Sequence, residues 1–285
     1  MESAMLGFSA TCSGLAARVL DGIDLDSDQK LRFAMGDGCG KREKDHPHLL
    51  LTGAKKNYIG AIDDKHKPPI TIAEHRDPPY RNRKGILSHN VMVVSDFDLN
   101  FTFVSCGWEG SASDAGVLRS AISKGFSVLE GKFYLVDGEY ANTSSFIAPY
   151  SEVRYHLNQF SMRRSSQSGY ENYNELFNHC HAILRNHIER AIGVLKKRFS
   201  ILKGGTFHPM ENQIKIATAT IAFPNIITVQ NGDEGWLDNQ PDYISPSQYV
   251  DVPKGDNKYL NDTESSDGST VRNQIALQMW ATYNS

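Results

Sequence analysis

Three acidic residues stand at positions where they could hold a metal ion together. Asp63 ends a short apolar segment, Asp137 ends another, and Glu189 lies inside a long amphipathic segment. Carboxylate oxygens are the ligands that Mg²⁺ and Mn²⁺ prefer. Two such ions can activate a water molecule and stabilise the leaving oxygen in phosphodiester hydrolysis. Acids are common at strand ends because loops are polar, so the spacing alone does not decide the matter.

The apolar pattern predicts the strands that would carry the first two acids. Five short segments have strand character, at residues 58–63, 85–95, 101–107, 133–136 and 153–157. The second and third are separated by a turn-like stretch at 96–100, which predicts a β-hairpin. Asp63 and Asp137 then follow two strands whose ends can lie at one edge of a sheet.

Four segments are predicted as helices, at residues 114–124, 174–199, 212–222 and 271–283. Ser111 and Ser113 can cap the first of them. The second would be about 39 Å long, and its apolar residues recur every three or four positions, so that it can present Glu189 to the sheet edge. Pro224 is expected to end the third.

Composition describes an ordinary globular chain with uneven charge. The 285 residues are 40% hydrophobic and 22% charged, and no apolar run is long enough to span a bilayer, so no membrane contact is expected. The four cysteines form no CxxC pair, which argues against a zinc ribbon or a disulfide framework. Residues 174–203 carry six basic and two acidic side chains, whereas residues 231–285 carry nine acidic and three basic ones.

Five segments of the sequence, in order, resemble the motifs of PIF/Harbinger-type DDE transposases and the nucleases derived from them. They are IGAIDDKH at 59–66, the stretch from YRNRKG to DAGVL at 80–118, YLVDGEYANTSSFIAPY at 134–150, FNHCHAILRNHIERAIGVLKKRFSIL at 177–202 and VRNQIALQMW at 271–280. A single motif would be weak evidence, but several in the right order are specific.

The resemblance implies an α/β fold of the RNase H-like type, a mixed sheet flanked by helices with a long catalytic helix. It makes Asp63, Asp137 and Glu189 the catalytic, metal-binding carboxylates and Mg²⁺ or Mn²⁺ the cofactor. It implies DNA as the substrate of a DDE-type nuclease that cleaves and transfers strands. A separate Myb-like DNA-binding partner and the nucleus are implied too, with the cytoplasm as a second compartment and a homo-oligomer left open.

The expected domain organisation places this nuclease domain at residues 58–228. A poorly defined segment precedes it at 1–57, and an acidic, linker-like tail at 229–285 ends in a short helix. Three residues are candidates for accessory roles in the site: Asp114, His66 and His181. Eight basic residues are candidates for DNA contacts: Arg81, Arg83, Lys84, Arg185, Arg190, Lys196, Lys197 and Arg198.

Departures from the family pattern support a second interpretation. The family's usual GTH after the first acid is Asp64, Lys65 and His66 here, so the acid is doubled and a cation lies beside it. Glu189 could also simply pair with Arg185 one helical turn earlier. The alternative is therefore a domesticated, catalytically inactive protein that acts through protein or chromatin contacts.

Overall fold

Five strands form one mixed sheet. They are β1 (Tyr58–Lys67), β2 (His89–Ser95), β3 (Phe101–Glu109), β4 (Phe133–Leu135) and β5 (Phe146–Ile147). The order across the sheet is β3-β2-β1-β4-β5. Strands β2 and β3 are antiparallel, whereas β4 runs parallel to both β1 and β5. The computed structural model describes residues 57–67, 77–82, 84–155, 170–204, 208–229 and 262–284.

Five α-helices lie in these ranges. They are α1 (Asp77–Tyr80), α2 (Asp114–Ser123), α3 (Tyr173–Arg198), α4 (Met210–Val229) and α5 (Asp262–Tyr283). The mixed sheet and its helices confirm the predicted RNase H-like α/β class. None of the helices in the described ranges has both the length and the apolar character that crossing a membrane requires.

The chain divides into two compact units. The first includes Asp64–Ser127 and Arg190–Asp242, and the second includes Cys39–Asp63, Val128–Glu189 and Tyr243–Ser285. Strand β1 and helix α3 each contribute to both. The predicted domain limits of 1–57, 58–228 and 229–285 stay a prediction.

In the first unit, the hairpin of β2 and β3 is the framework. All seven residues of β2 are buried, as expected for a strand covered on both faces. Helix α2 packs on both strands and α4 packs on β3. Gly107 permits the approach of α4, because a Cβ there would lie 2.6 Å from Cδ1 of Ile214. Its φ of +92° is also one that few other residues adopt.

The hairpin turn is closed by Asp96, as the polar stretch at 96–100 predicts. The carboxylate of Asp96 accepts hydrogen bonds from the backbone N–H groups of Asp98 and Asn100, each at 2.9 Å. It also accepts one from the side chain of Asn100 at 3.0 Å. This Asx-type arrangement satisfies backbone donors that the turn would leave open. The predicted hairpin is confirmed.

In the second unit, α5 packs against β5 and the loop before it. Gly268 lies so close to that loop that a Cβ would be 2.5 Å from Cα of Thr143. One turn later, Arg272 donates to the carbonyl oxygens of Ala148 and Pro149 at 3.2 and 3.0 Å. The carboxyl-terminal helix is therefore part of this unit.

Four sequence predictions differ from the structure. Strand β1 continues past Asp63 to Lys67, so the prediction that the first strand ends on this acid is wrong. The fifth strand lies at Phe146–Ile147, and residues 151–155 of the described chain are turn or irregular, so the strand predicted at 153–157 is wrong. Helix α5 begins nine residues before the predicted 271. Helix α4 continues through Pro224 to Val229, although this proline was expected to end it. Its tertiary contacts with β3 outweigh the lost helical hydrogen bond.

Some expectations fall outside the described residues. Most of the segment 1–57, the linker-like residues 230–261 and Arg83 are among them. The capping prediction for α2 can be tested, and Ser113 is confirmed as the N-cap. Its side chain accepts a hydrogen bond from the N–H of Gly116.

Candidate active site

The two aspartates lie at the same level of neighbouring parallel strands. Ala61 of β1 is in register with Leu135 of β4. Asp63 lies two residues after Ala61, and Asp137 lies two residues after Leu135. Side chains two residues apart in a strand point to the same face. Asp63 and Asp137 therefore emerge side by side from the sheet, Asp63 from within β1 and Asp137 from the residues just after β4.

The guanidinium of Arg185 bridges these two carboxylates. Its Nη2 lies 3.2 Å from Oδ1 of Asp63, and its Nη1 lies 3.7 Å from Oδ2 of Asp137. Nη2 also donates to the carbonyl oxygen of Ile62 at 3.4 Å. Asp63 is 2% exposed and Arg185 5% exposed, so this ion pair is removed from water. The side chain of Asp137 is 28% exposed, which places it on the accessible side.

Helix α3 carries a row of polar residues toward this point. Asn178, His181, Arg185 and Glu189 follow one another at intervals of three, four and four, which places them on one face of the helix. Asn178, His181 and Arg185 are buried. Glu189 is near enough to act electrostatically on Arg185 and on Tyr155. The predicted third carboxylate thus acts on the guanidinium that bridges the first two.

His181 and Tyr155 form a directed chain of hydrogen bonds beside Arg185. Nε2 of His181 lies 3.1 Å from the carbonyl oxygen of Ile147 in β5, so it must donate. Burial lowers the pKa of His181 to about 3, so the ring is neutral and its Nδ1 accepts. Tyr155 therefore donates its hydroxyl proton to Nδ1 across 3.1 Å. The oxygen of Tyr155 is left to accept a hydrogen bond from Arg185.

Asn178 fixes the segment that delivers Tyr155. Its Oδ1 accepts from the backbone N–H of Tyr150 at 2.8 Å. Its Nδ2 approaches the carbonyl oxygens of Tyr150, Val153 and Arg154 at 3.0 to 3.3 Å. One buried amide thus satisfies several backbone groups of an irregular segment, which holds Tyr155 against the helix.

The pKa values reflect this crowded, buried arrangement. Burial raises the pKa of Asp137, and the negative charge of Asp63 raises it further, while Arg185 opposes the shift. Burial disfavours the charge on Arg185, but Asp137 and Asp63 outweigh that effect and raise its pKa. Burial likewise raises the pKa of the Tyr155 phenol. Arg185 therefore stays charged at neutral pH.

The accessory candidates occupy three different settings. His181 lies inside the site, where it positions Tyr155. His66 lies on β1, three residues after Asp63. Asp114 is the first residue of α2 in the first unit, where a negative charge suits the helix dipole. Asp64, the doubled acid, is half-buried, whereas Asp63 is the one that contacts Arg185.

The candidate DNA-binding residues differ in exposure. Lys196, Lys197 and Arg198 form the last turn of α3, and Lys197 is exposed. Lys84 is exposed, and Arg81 donates to the carbonyl oxygen of Gly85 at 3.0 Å. Arg190 is half-buried on α3 and Arg185 is buried, with carboxylates as the partners of Arg185. Their role in binding phosphate stays a prediction.

The three predicted carboxylates are of the chemical type that binds divalent metals. Asp63, Asp137 and Glu189 offer hard oxygen ligands, and their three charges outnumber the one guanidinium. Nevertheless, no group of three or more His, Cys, Asp or Glu residues in the described ranges has an arrangement that could hold an ion. The two aspartates form ion pairs with Arg185 instead.

Two central residues differ from what the sequence predicts. The sequence predicts that Arg185 pairs with Glu189 or DNA, whereas its guanidinium bridges Asp63 and Asp137. It predicts a strand at Tyr155, whereas Tyr155 is irregular and lies in the site. A signal was present, because the polar spacing of Asn178, His181, Arg185 and Glu189 marks one helix face that would otherwise be buried in the core.

Comparison with known families identifies the domain. A family model described as "DDE superfamily endonuclease" matches residues 64–225. The matched range includes Asp137 and Glu189 and begins one residue after Asp63. No solved structure matches the chain.

Curated relatives are similar over most of the chain. The protein named "Putative nuclease HARBI1" from Rattus norvegicus is 26% identical over 231 residues, which is 80% of this chain and 61% of the relative. The protein of the same name from Mus musculus is 24% identical over 280 residues, 94% of this chain and 71% of the relative. The one from Homo sapiens is 25% identical over 231 residues, with coverages of 80% and 61%. The chain thus spans about three fifths of the rat and human proteins.

Proposed function

Because this chain belongs to the DDE superfamily endonuclease family, we propose that it is a transposase-derived, metal-dependent DNA endonuclease. Its reaction is cleavage of a DNA phosphodiester, followed by transfer of the 3′-OH strand end in the transposase manner. The nucleus is its proposed place of action. The observation that carries the proposal is the pairing of Asp63 and Asp137 across the buried guanidinium of Arg185, with Glu189 one turn beyond Arg185 on the same helix face.

Asp63, Asp137 and Glu189 would hold the metal. A bound Mg²⁺ or Mn²⁺ supplies Lewis acidity for water attack on the phosphodiester and for departure of the leaving oxygen. Asp137 is the partly exposed member of the pair, so it faces the side from which substrate can approach. Asp63 is buried and lies within β1, so its position in the site is rigid.

The residues behind the acids keep the site ordered. The chain from Ile147 through His181 and Tyr155 to Arg185 anchors the guanidinium to the sheet. Anchored in this way, Arg185 holds the two repelling carboxylates together in the metal-free protein.

The basic last turn of α3 is the proposed contact for the DNA backbone. Lys196, Lys197 and Arg198 place three cations within one turn, as phosphate binding requires. Arg81, Lys84 and Arg190 are proposed to add to this contact. A separate Myb-like protein is the proposed supplier of sequence recognition, because phosphate contacts alone carry no sequence information.

Nicking of supercoiled plasmid DNA tests this function. The wild type is expected to nick in the presence of Mn²⁺ or Mg²⁺ and not in EDTA, and Asp137→Asn is expected to lose at least a hundredfold in rate. Glu130→Gln is the matched control, because it removes an equal charge from an exposed carboxylate outside the site. Equal nicking by wild type and Asp137→Asn would refute the assignment.

A catalytically silent protein is the second candidate. The observation that favours it is the bridge itself, since Arg185 neutralises the acids that metal would need. A silent protein would keep this fold for protein or chromatin contacts. In that case millimolar Mn²⁺ would leave the melting temperature of the wild type unchanged, whereas metal binding to the folded state raises it.

A further inference from the structure

We propose that Arg185 is an internal cation that a divalent metal must displace from between Asp63 and Asp137, and that it thereby sets the metal affinity of the site. The inference rests on the proposed function and deepens it by naming the residue that controls entry of the metal. It begins from the geometry, in which each of two guanidinium nitrogens faces a different carboxylate.

Arg185 faces the two carboxylates that a metal ion would need. Oδ1 of Asp63 lies 3.2 Å from Nη2, and Oδ2 of Asp137 lies 3.7 Å from Nη1. An ion held by both carboxylates must approach each within roughly 2.0–2.6 Å. A guanidinium cannot remain in the gap at that separation, so the two cations exclude each other.

Burial makes this competition strong. The side chains of Asp63 and Arg185 are almost fully buried, so water screens their attraction poorly. Without a positive charge between them, the two carboxylates would repel each other. Arg185 therefore stabilises the metal-free protein and opposes the binding of a metal ion.

A displaced guanidinium has a partner available within the site. Arg185 also bonds the oxygen of Tyr155, which is neutral and is not among the proposed metal ligands. Tyr155 is itself fixed by His181, whose other ring nitrogen bonds the carbonyl oxygen of Ile147. The arginine can thus give up the aspartates without losing every hydrogen bond, which makes an exchange possible without unfolding.

The competition predicts an effect that a purely structural residue would not have. In Arg185→Gln the acids keep their positions on the strands but lose the opposing cation. We expect the Kd for Mn²⁺ to fall at least tenfold while the metal-free melting temperature also falls. A residue that only supports the fold would lower the melting temperature equally with and without metal.

Titration calorimetry with Mn²⁺ on the full chain, paired with melting curves with and without Mn²⁺, is the test. Arg185→Lys keeps the charge as a single point donor and should bind Mn²⁺ more tightly than wild type but less tightly than Arg185→Gln. Arg154→Gln is the matched control. It removes an equal charge from the Arg154–Glu175 salt bridge at 2.9 Å and should leave the Kd unchanged.

Each outcome decides a different point. Tighter Mn²⁺ binding in Arg185→Gln, with Arg154→Gln unchanged, supports the inference. Equal or weaker binding in Arg185→Gln overturns it and leaves the metal-dependent function standing. No Mn²⁺ response in any of the proteins overturns both. If Arg185→Gln shows no cooperative unfolding, Arg185→Lys alone carries the test, and a Kd equal to or above that of wild type overturns the inference.

Discussion

His181 donates its Nε2 proton to the carbonyl oxygen of Ile147 across 3.1 Å, and this bond fixes the ring tautomer at the centre of the molecule's polar network. The neutral ring must then accept at Nδ1, which orients the hydroxyl of Tyr155. A protonated ring could not accept there, so the network exists only while His181 is neutral. Its pKa of about 3 maintains that state at neutral pH.

The first prediction concerns the pH dependence of stability. The pKa of His181 is lower in the folded protein than its ordinary value of 6.5, because burial disfavours the charged ring. At a pH between these two pKa values, the histidine is protonated in the unfolded chain and neutral in the folded protein. Stability is therefore complete above pH 6.5 and is lost as pH falls toward 3, at about 1.4 kcal/mol per pH unit.

The measurement is the free energy of urea unfolding from pH 7 to pH 4 for the wild type and for His181→Gln. Glutamine keeps a donor and an acceptor but does not titrate. Asp96 and Asp137 have raised pKa values and act in the opposite direction, so the difference between the two proteins is the informative quantity. Parallel curves for the two proteins would contradict the prediction.

The secondary structure was largely predictable because its signals are local. The turn stretch at Asp96 and the apolar residues on each side define the hairpin, and helical spacing of apolar residues defines α3. The two-residue strand β5 was not predictable in this way, since Phe146 and Ile147 are too few to show a period. Its position is set by pairing with β4, which is a tertiary interaction.

Of the candidate site, only the acidic residues could be predicted from the sequence. Asp63 lies within β1 and Asp137 just after β4, and their convergence can be anticipated from the parallel pairing of these strands. Arg185 could not be assigned to them from the sequence, because its place depends on how α3 crosses the strand ends. Helix spacing alone made Glu189 its nearest partner.

The second prediction concerns the close contact at Gly268. In a helix interior, Gly→Ala ordinarily stabilises by up to about 1 kcal/mol. Here the added Cβ would meet Cα of Thr143 at 2.5 Å, so the sign should reverse, with a loss of about 2 kcal/mol in the free energy of unfolding. Gly204→Ala is the control, because nothing lies within 4 Å of its Cβ. A stabilised Gly268→Ala variant in urea unfolding would disprove the close contact.

The third prediction concerns the anchoring of α4 by Asn225. Its Oδ1 accepts from the N–H of Phe101 at 3.0 Å, and its Nδ2 donates to the carbonyl oxygen of Phe101 at 2.7 Å. Asn225→Ala leaves both backbone groups unsatisfied in a buried place, and a loss of about 2 kcal/mol is expected in urea unfolding.

Pro224, the residue before Asn225, provides the contrast. Pro224→Ala restores a helical N–H within α4 and should stabilise the protein by about 1 kcal/mol. If Asn225→Ala were neutral while Pro224→Ala stabilised, contacts other than the Asn225–Phe101 pair would have to hold the helix across its proline.

The last prediction separates the two aspartates by stability rather than by activity. Asp63→Asn removes the better-buried partner of Arg185 and leaves its charge less compensated, which should cost about 3 kcal/mol in metal-free urea unfolding at pH 7. Asp137→Asn should cost about 1 kcal/mol, because Asp137 is 28% exposed and lies farther from the guanidinium. Since both acids share one cation, the double variant should lose more than the two single losses together. Equal losses in the single variants, or simple additivity in the double variant, would mean that Arg185 does not bridge them in solution.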